Sequence, residues 1–260
     1  MTTTSSRRFG AINRLYGSQA EARLAQAHIM VAGIGGVGSW CVEALARSGV
    51  GRLTLIDMDH LAESNINRQL PALSSTLGQA KVQAMADRLL DINPSIQVNL
   101  IDDFIGPENA RALLHAQPDV LVDATDHMSA KVAMVLEARS ARIPLIVCGA
   151  AGGKTNALAL RQGDLAHSTH DALLARLRHQ LRRQHGFAKP KADKKSRVPK
   201  MGVSCLWVEQ AATQPATSTS CAPATAPQGL SCAGYGSLVT VTAPMGMLAA
   251  QWAIDTVLKG

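Results

Sequence analysis

The stretch His28-Ile29-Met30-Val31-Ala32-Gly33-Ile34-Gly35-Gly36-Val37-Gly38, continuing into Ser39-Trp40-Cys41-Val42-Glu43-Ala44-Leu45, decides the fold. Its first part is a short apolar run that ends in a glycine turn. Its last part follows a helical pattern to about Ser48. The GxGxxG between them therefore joins a strand to a helix, the setting in which that motif carries meaning. With no side chains at Gly33, Gly35, Gly36 and Gly38, the backbone can approach a phosphate held at the helix N-terminus by unpaired N–H groups.

Outward from this stretch the chain alternates between two periods. Strand patterns at 52–57, 96–101, 120–124 and 145–149 alternate with helical patterns at 80–91, 107–117 and 128–141. Such alternation predicts an α/β fold, a doubly wound Rossmann-like, mostly parallel sheet with helices on both faces. Beyond Gly149 the pattern is irregular. A strand is expected over 157–161, an amphipathic helix over 171–183 with Leu173, Leu174, Leu177 and Leu181 along one side, and a strand over 202–208. A terminal helix closes this C-terminal extension. The chain reads as one domain: an N-terminal helical arm over 1–27, a nucleotide-binding core over 28–150, and an extension over 151–260. Flexible loops are expected at about 186–200 and 210–230.

Composition narrows the function. The 260 residues are 47% hydrophobic and 17% charged, which excludes a disordered chain. Eight aromatic rings are too few for a surface that stacks single-stranded RNA. Five cysteines without a CxxC pair argue against a disulfide framework and against zinc, and free thiols with no apolar leader point to the cytoplasm. The uncharged run 233–254 is long enough to span a membrane, but Val241, Met245, Leu248 and Trp252 form a stripe expected of a helix packed on a core. Charge is uneven: residues 176–200 alone carry +9, whereas the whole chain carries +7. Arg176, Arg182, Arg183, Lys189, Lys191, Lys194, Lys195, Arg197 and Lys200 are thus candidates for a polyanion, with a solvated basic loop as the plainer reading.

The glycine motif does not separate ATP from a dinucleotide. Asp57 and Asp59, which end the second strand, can accept the ribose hydroxyls of either. The next segment favours ATP. Ser64-Asn65-Ile66-Asn67-Arg68-Gln69 would place two amides and a guanidinium over the phosphates, where charge grows as pyrophosphate leaves. Lys81, expected one turn into the following helix, can meet a phosphate or be an ordinary surface lysine. Asp126, in Asp123-Ala124-Thr125-Asp126, can hold Mg²⁺ together with phosphate oxygens, or cap the next helix.

GIGGVGS, DMD, SNINRQ, GQAK and DATD, in this order, resemble the adenylating enzymes of the ubiquitin-activating type, which include ThiF and MoeB. RRFGAINRLYG, DALLARLR with its basic loop, GVSCLWVE and CAGYGS with LVTVTAPMGM narrow the resemblance to the tRNA threonylcarbamoyladenosine dehydratases of that superfamily. The resemblance implies that Asp59 holds the ATP ribose, that Asn65, Arg68, Gln69 and Lys81 hold the triphosphate, and that Asp126 organises Mg²⁺. It implies a homodimer in which Arg14 reaches the ATP of the other subunit. The substrate implied is tRNA carrying N6-threonylcarbamoyladenosine, whose carboxylate is adenylated and then closes a ring. A cysteine desulfurase and its sulfur acceptor are implied partners. The paired zinc cysteines of ThiF and MoeB are missing, as is a counterpart of the thioester cysteine. Cys205, Cys221 and Cys232 read as small, inert residues. The alternative is adenylation of the C-terminus of a sulfur-carrier protein, and a dinucleotide-binding module is a third reading. The +9 segment favours the RNA substrate over a carrier protein.

Overall fold

A computed structural model describes residues 4–190, 193, 197–213 and 235–259. Three short helices, α1 (Thr4–Phe9), α2 (Ala11–Tyr16) and α3 (Ala20–Gln26), precede β1 (His28–Ala32) and α4 (Gly38–Arg47). The chain continues through β2 (Arg52–Ile56), α5 (Lys81–Ile92), β3 (Gln97–Ile101), α6 (Ala110–Leu114), β4 (Val120–Asp123), α7 (Met128–Ala141) and β5 (Leu145–Cys148). It ends with β6 (Leu160–Asp164), α8 (Ala172–Gln184), β7 (Ser204–Val208) and α9 (Val239–Lys259).

The strands form one sheet in the order β3-β2-β1-β4-β5-β7-β6. All neighbours are parallel except β6, which runs antiparallel to β7. The strands are apolar throughout their central members because both faces are covered. Alternation divides them cleanly. Ile29, Val31, Leu53, Leu55, Val120 and Val122 join the cluster under α4, α5 and α9. Met30, Ala32, Ile56 and Leu121 face α6 and α7 instead. β1 pairs with β2 on one side and β4 on the other, so the chain reverses its winding there and a crevice opens at the carboxyl ends of β1 and β4.

Four local expectations are corrected. The helix expected over 107–117 shrinks to α6, because Asn109 accepts from Gly106 N and donates to Phe104 O, winding 104–109 into a turn. The strand expected over 157–161 starts at Leu160, since Asn156 caps a turn of 3₁₀ helix over Ala157–Ala159. The expected stripe on α9 is also shifted: Val241 and Met245 are buried, but Leu248 is exposed and the core face is completed by Gly246, Ala249, Ala250 and Ala253. A Cβ on Gly246 would stand 2.3 Å from Val37 O, so α9 meets the start of α4 at its glycine, while Val241, Met245 and Ile254 fill the core beside it. The start of the loop expected at about 186–200 is anchored, with Phe187 buried and the Arg139 guanidinium 4.6 Å from its ring centre. Among the described residues no helix is long and apolar enough to cross a membrane.

Candidate active site

A cavity of about 570 Å³ opens at the carboxyl ends of the central strands. Gly33, Gly35 and Gly36 form one wall, and Asp59, Asn65, Arg68, Gln69 and Lys81 form the next. Across from them stand Thr125, Asp126 and His127 after β4, and Gly149 to Ala151 after β5. The glycine turn leaves no room for side chains at Gly33 and Gly38. Gly33 has φ +86°, and a Cβ on Gly38 would lie 1.8 Å from Gly33 O.

Asp57 faces inward. Its Oδ2 accepts from Ile34 N at 2.6 Å and its Oδ1 from Asp59 N at 2.9 Å. Burial raises its carboxyl above the ordinary range, although Lys81 and the two N–H groups pull the other way. Asp57 thus clamps the glycine turn, while Asp59 is 62% exposed and available to a ligand.

Lys81 is neither one turn into its helix nor on the surface. Ala80 is extended, so Lys81 begins α5, and its side chain is 7% exposed. Its Nζ lies 2.6 Å from Asp59 Oδ2 and 3.7 Å from Asp57 Oδ1. Arg68 donates from Nη1 to Ser64 O and to the Asn67 side-chain oxygen, and its own carbonyl accepts from Trp40 Nε1. Asn65 Oδ1 accepts from Ala62 N, closing the turn that carries Arg68. Asp126 does not cap α7, whose N-cap position is His127; its Oδ1 stands 3.7 Å from His127 Nε2 and its side chain is half exposed.

The sequence reading missed several contributors. Phe104 and neighbours of the 103–108 turn line the cavity, with the Phe104 ring 5.7 Å from that of His127. The signal was a Gly-Pro turn at the carboxyl end of a strand, where such sheets bind ligands. Ser237 and Thr242 enter from far along the chain: Asn67 Nδ2 donates to Ser237 O, and Thr242 is carried on α9 against Gly36. Gln69 Oε1, Ser237 Oγ and Thr242 Oγ1 are buried without partners among the described residues, as expected of a wall awaiting a polar ligand.

Other candidates lie elsewhere. Arg14, on α2, is exposed and does not line its own chain's cavity. Arg176 and Arg183 are exposed on α8, and Lys189, Arg197 and Lys200 are exposed beyond it. Arg182 is instead a strut, donating from Nε to Ala188 O. Lys191, Lys194, Lys195, Cys221 and Cys232 lie outside the described residues. Cys205 is buried in β7, and burial pushes its thiol well above the ordinary value.

A crevice at the winding reversal, walled by glycines and by paired cationic and acidic groups, defines a nucleotide-handling α/β protein. The chain belongs to the ThiF family, whose profile matches residues 10–260. It is 42% identical to the tRNA threonylcarbamoyladenosine dehydratase of Haemophilus influenzae, over 97% of this chain and 94% of that one. With the enzyme of the same name from Escherichia coli K12 it shares 39% identity over 96% of this chain and 93% of the relative. The crystal structure of the E. coli tRNA N6-threonylcarbamoyladenosine dehydratase in complex with ATP superposes with a TM-score of 0.86 at 36% identity, covering 100% of this chain and 97% of the other.

Proposed function

We infer that this chain is an ATP-dependent tRNA threonylcarbamoyladenosine dehydratase. The observation that carries the reading is the continuity of two features. The cavity that gathers Arg68, Lys81 and Asp126 is also lined by Leu173 at the start of α8, and Arg176 and Arg183 are exposed on that same helix. In this reading the cavity holds the nucleotide, and the exposed arginines of α8, which begins at its edge, face the RNA. Full-length likeness to named dehydratases supports the same reading.

In this reading the threonyl carboxylate oxygen attacks the α-phosphorus of ATP, and the bond to the β-phosphate oxygen breaks to release pyrophosphate. A nucleophile within the same nucleoside then attacks the activated carbonyl carbon and gives up its proton. The single bond from the carbonyl carbon to the phosphate oxygen breaks and AMP leaves, carrying the oxygen formally lost as water. Asp59 receives the ribose, while Asn65, Arg68, Gln69 and Lys81 offset charge on the departing phosphates. The half-exposed Asp126 carboxylate fits Mg²⁺, which takes one or two carboxylates and completes its shell with phosphate oxygens. No cluster of three potential ligands exists among the described residues, so protein groups alone do not build that site. The ion's contribution when bound is to neutralise phosphate charge.

Two further assignments belong to the same reading. The protein acts as a homodimer: Leu15 and Tyr16 on α2 and Met247 and Leu248 on α9 are exposed, and Gln251 Nε2 donating to the Tyr16 hydroxyl joins these two surfaces beside Arg14. Its place is the cytoplasm, where Cys41, Cys148 and Cys205 would persist as free thiols. The test is ATP–pyrophosphate exchange and product analysis with tRNA bearing N6-threonylcarbamoyladenosine, against exchange with a sulfur-carrier protein. Exchange with the tRNA and formation of the cyclic nucleoside are expected; exchange with the carrier alone would overturn the reading.

A further inference from the structure

Beneath the cavity floor lies a group of charged side chains that the reaction itself does not use. Lys131, on α7, is completely buried, as is Asp123 at the end of β4. Lys131 Nζ donates to Asp123 Oδ1 at 3.1 Å and to the Cys148 carbonyl at the end of β5 at 2.9 Å. Asp123 Oδ1 also accepts from Thr125 N at 3.0 Å and Thr125 Oγ1 at 2.7 Å. Asp171, the N-cap of α8, meets the β5 loop from its other side, where its Oδ2 accepts from Ala150 N at 2.8 Å. The glycine at 149 is required by this approach, since a Cβ there would lie 2.1 Å from Asp171 Oδ2.

The consequence is geometric. The loop after β4 carries Thr125, Asp126 and His127 into the cavity, and the loop after β5 carries Gly149, Ala150 and Ala151. Parallel strands share no hydrogen bonds beyond their last paired residues, here Asp123 with Val147. Past that point, one ammonium group bridges the two strand ends. A lysine is suited to this because its four-carbon stem crosses the apolar floor and its head supplies several donors to carbonyl and carboxylate oxygens. A buried ion pair is a poor way to gain stability, because desolvation offsets attraction. Its retention at this junction points to position.

We propose that Lys131 is a positioning residue for carboxylate activation, fixing the Asp126 loop relative to the Gly149–Ala151 loop so that the carboxylate oxygen meets the α-phosphorus in line with the departing pyrophosphate. It touches neither. The inference rests on the dehydratase reading above. Asp171 and Lys154 complete its charged surroundings: Asp171 acts on Lys131 through space, and Lys154 Nζ donates to the carbonyls of His170 and Gln210.

The experiment compares wild type, K131M, K131R and the neutral pair D123N/K131M. Melting temperature, the Kd for ATP, and kcat and KM with the modified tRNA are measured for each. The expected result is a kcat about a hundredfold lower in K131M, because a misplacement of about 1 Å is enough for a loss of that size. The Kd for ATP should stay within about twofold, since triphosphate contacts come from the other wall. D123N/K131M should regain melting temperature, no unpaired charge remaining buried, yet keep the low kcat. K131R should recover only part of it. If K131M fails to fold, the neutral pair decides the matter. Wild-type kcat in a folded variant, or a kcat that returns with melting temperature in the neutral pair, would overturn the proposal. A wild type inert toward the modified tRNA would overturn the dehydratase reading and this inference with it.

Discussion

Arg68 lines the cavity, and in the proposed function it faces the phosphates of ATP. Its Nη1 is already tied to Ser64 O and Asn67 Oδ1, so the guanidinium is held at the cavity wall before any ligand arrives. R68A should weaken ATP binding by about 2 kcal/mol, roughly thirtyfold, as expected for a charge-assisted contact. Product formation should fall further, by about a hundredfold or more, because the charge it offsets grows as pyrophosphate leaves. R68K should recover little, since a point charge does not reproduce a planar fork. Calorimetric titration with ATP and steady-state turnover separate the two effects, and wild-type turnover in R68A would remove the residue from the site. Its chemistry was legible in the order Asn65-Ile66-Asn67-Arg68-Gln69. The burial of Lys81 was not: a lysine at the start of an amphipathic helix looks the same in sequence whether or not two aspartates from another strand lie above it.

At the scale of elements, the antiparallel edge strand β6 controls how the basic segment rejoins the sheet. Asp164, its last residue, accepts from Met201 N and Gly202 N through its two oxygens, and from Ala166 N. Burial by itself would raise this carboxyl, but the N–H groups of Met201, Ala166, Gly202 and Val203 outweigh it and hold the group below the ordinary carboxylate range. A depressed folded-state value means that the contribution to stability is complete above the unfolded value of about 3.9 and disappears as pH falls through the folded one. D164N should therefore be less stable than wild type at neutral pH. The gap should close progressively below about pH 4, as read by denaturant unfolding at several pH values. A gap independent of pH would show that the carboxylate charge is not what holds the 201–203 backbone.

The whole molecule adds two expectations. If Arg14 serves a second subunit, mixing inactive R14A with inactive D126A should restore part of the activity through mixed dimers, because one of the two sites would then be intact. Subunit exchange is followed by native mass spectrometry, and no recovery despite exchange would confine Arg14 to its own chain. The basic segment should act through phosphates. Affinity for tRNA should fall steeply with salt, and neutralising Lys189, Lys191, Lys194 and Lys195 should flatten that slope by about 0.7–0.9 for each phosphate no longer paired with a lysine. KM for ATP should hardly move, since the nucleotide is held at the glycine turn and the Arg68 wall. An unchanged slope would return the segment to a solvated loop.

Local information was enough for the layered fold and for the group of residues from Gly33 to Lys81 that lines one side of the cavity. Strand and helix periods, a glycine motif between β1 and α4, and charged residues just past strand ends are all written within a few residues of one another. Parallel pairing and right-handed crossovers then leave few arrangements open. What only the tertiary structure decided depends on contacts between distant segments. Asn67 binds Ser237 backbone 170 residues away, and Thr242 reaches the cavity because α9 packs on the glycine turn; no local period marks either residue. Asp57 and Asp59 differ by two positions and both line the cavity, yet Asp57 is spent on clamping the glycine turn and Asp59 is left exposed. The reason is that β2 ends at Ile56, and the turn that Asp57 closes on Asp59 N carries Asp59 outward. The face of α9 followed the closeness of α4: Gly246 sits where a Cβ would meet Val37 O, and Leu248 is left outside. Lys131 stands in an ordinary helical pattern, and its role exists only because the ends of β4 and β5 meet above its ammonium group.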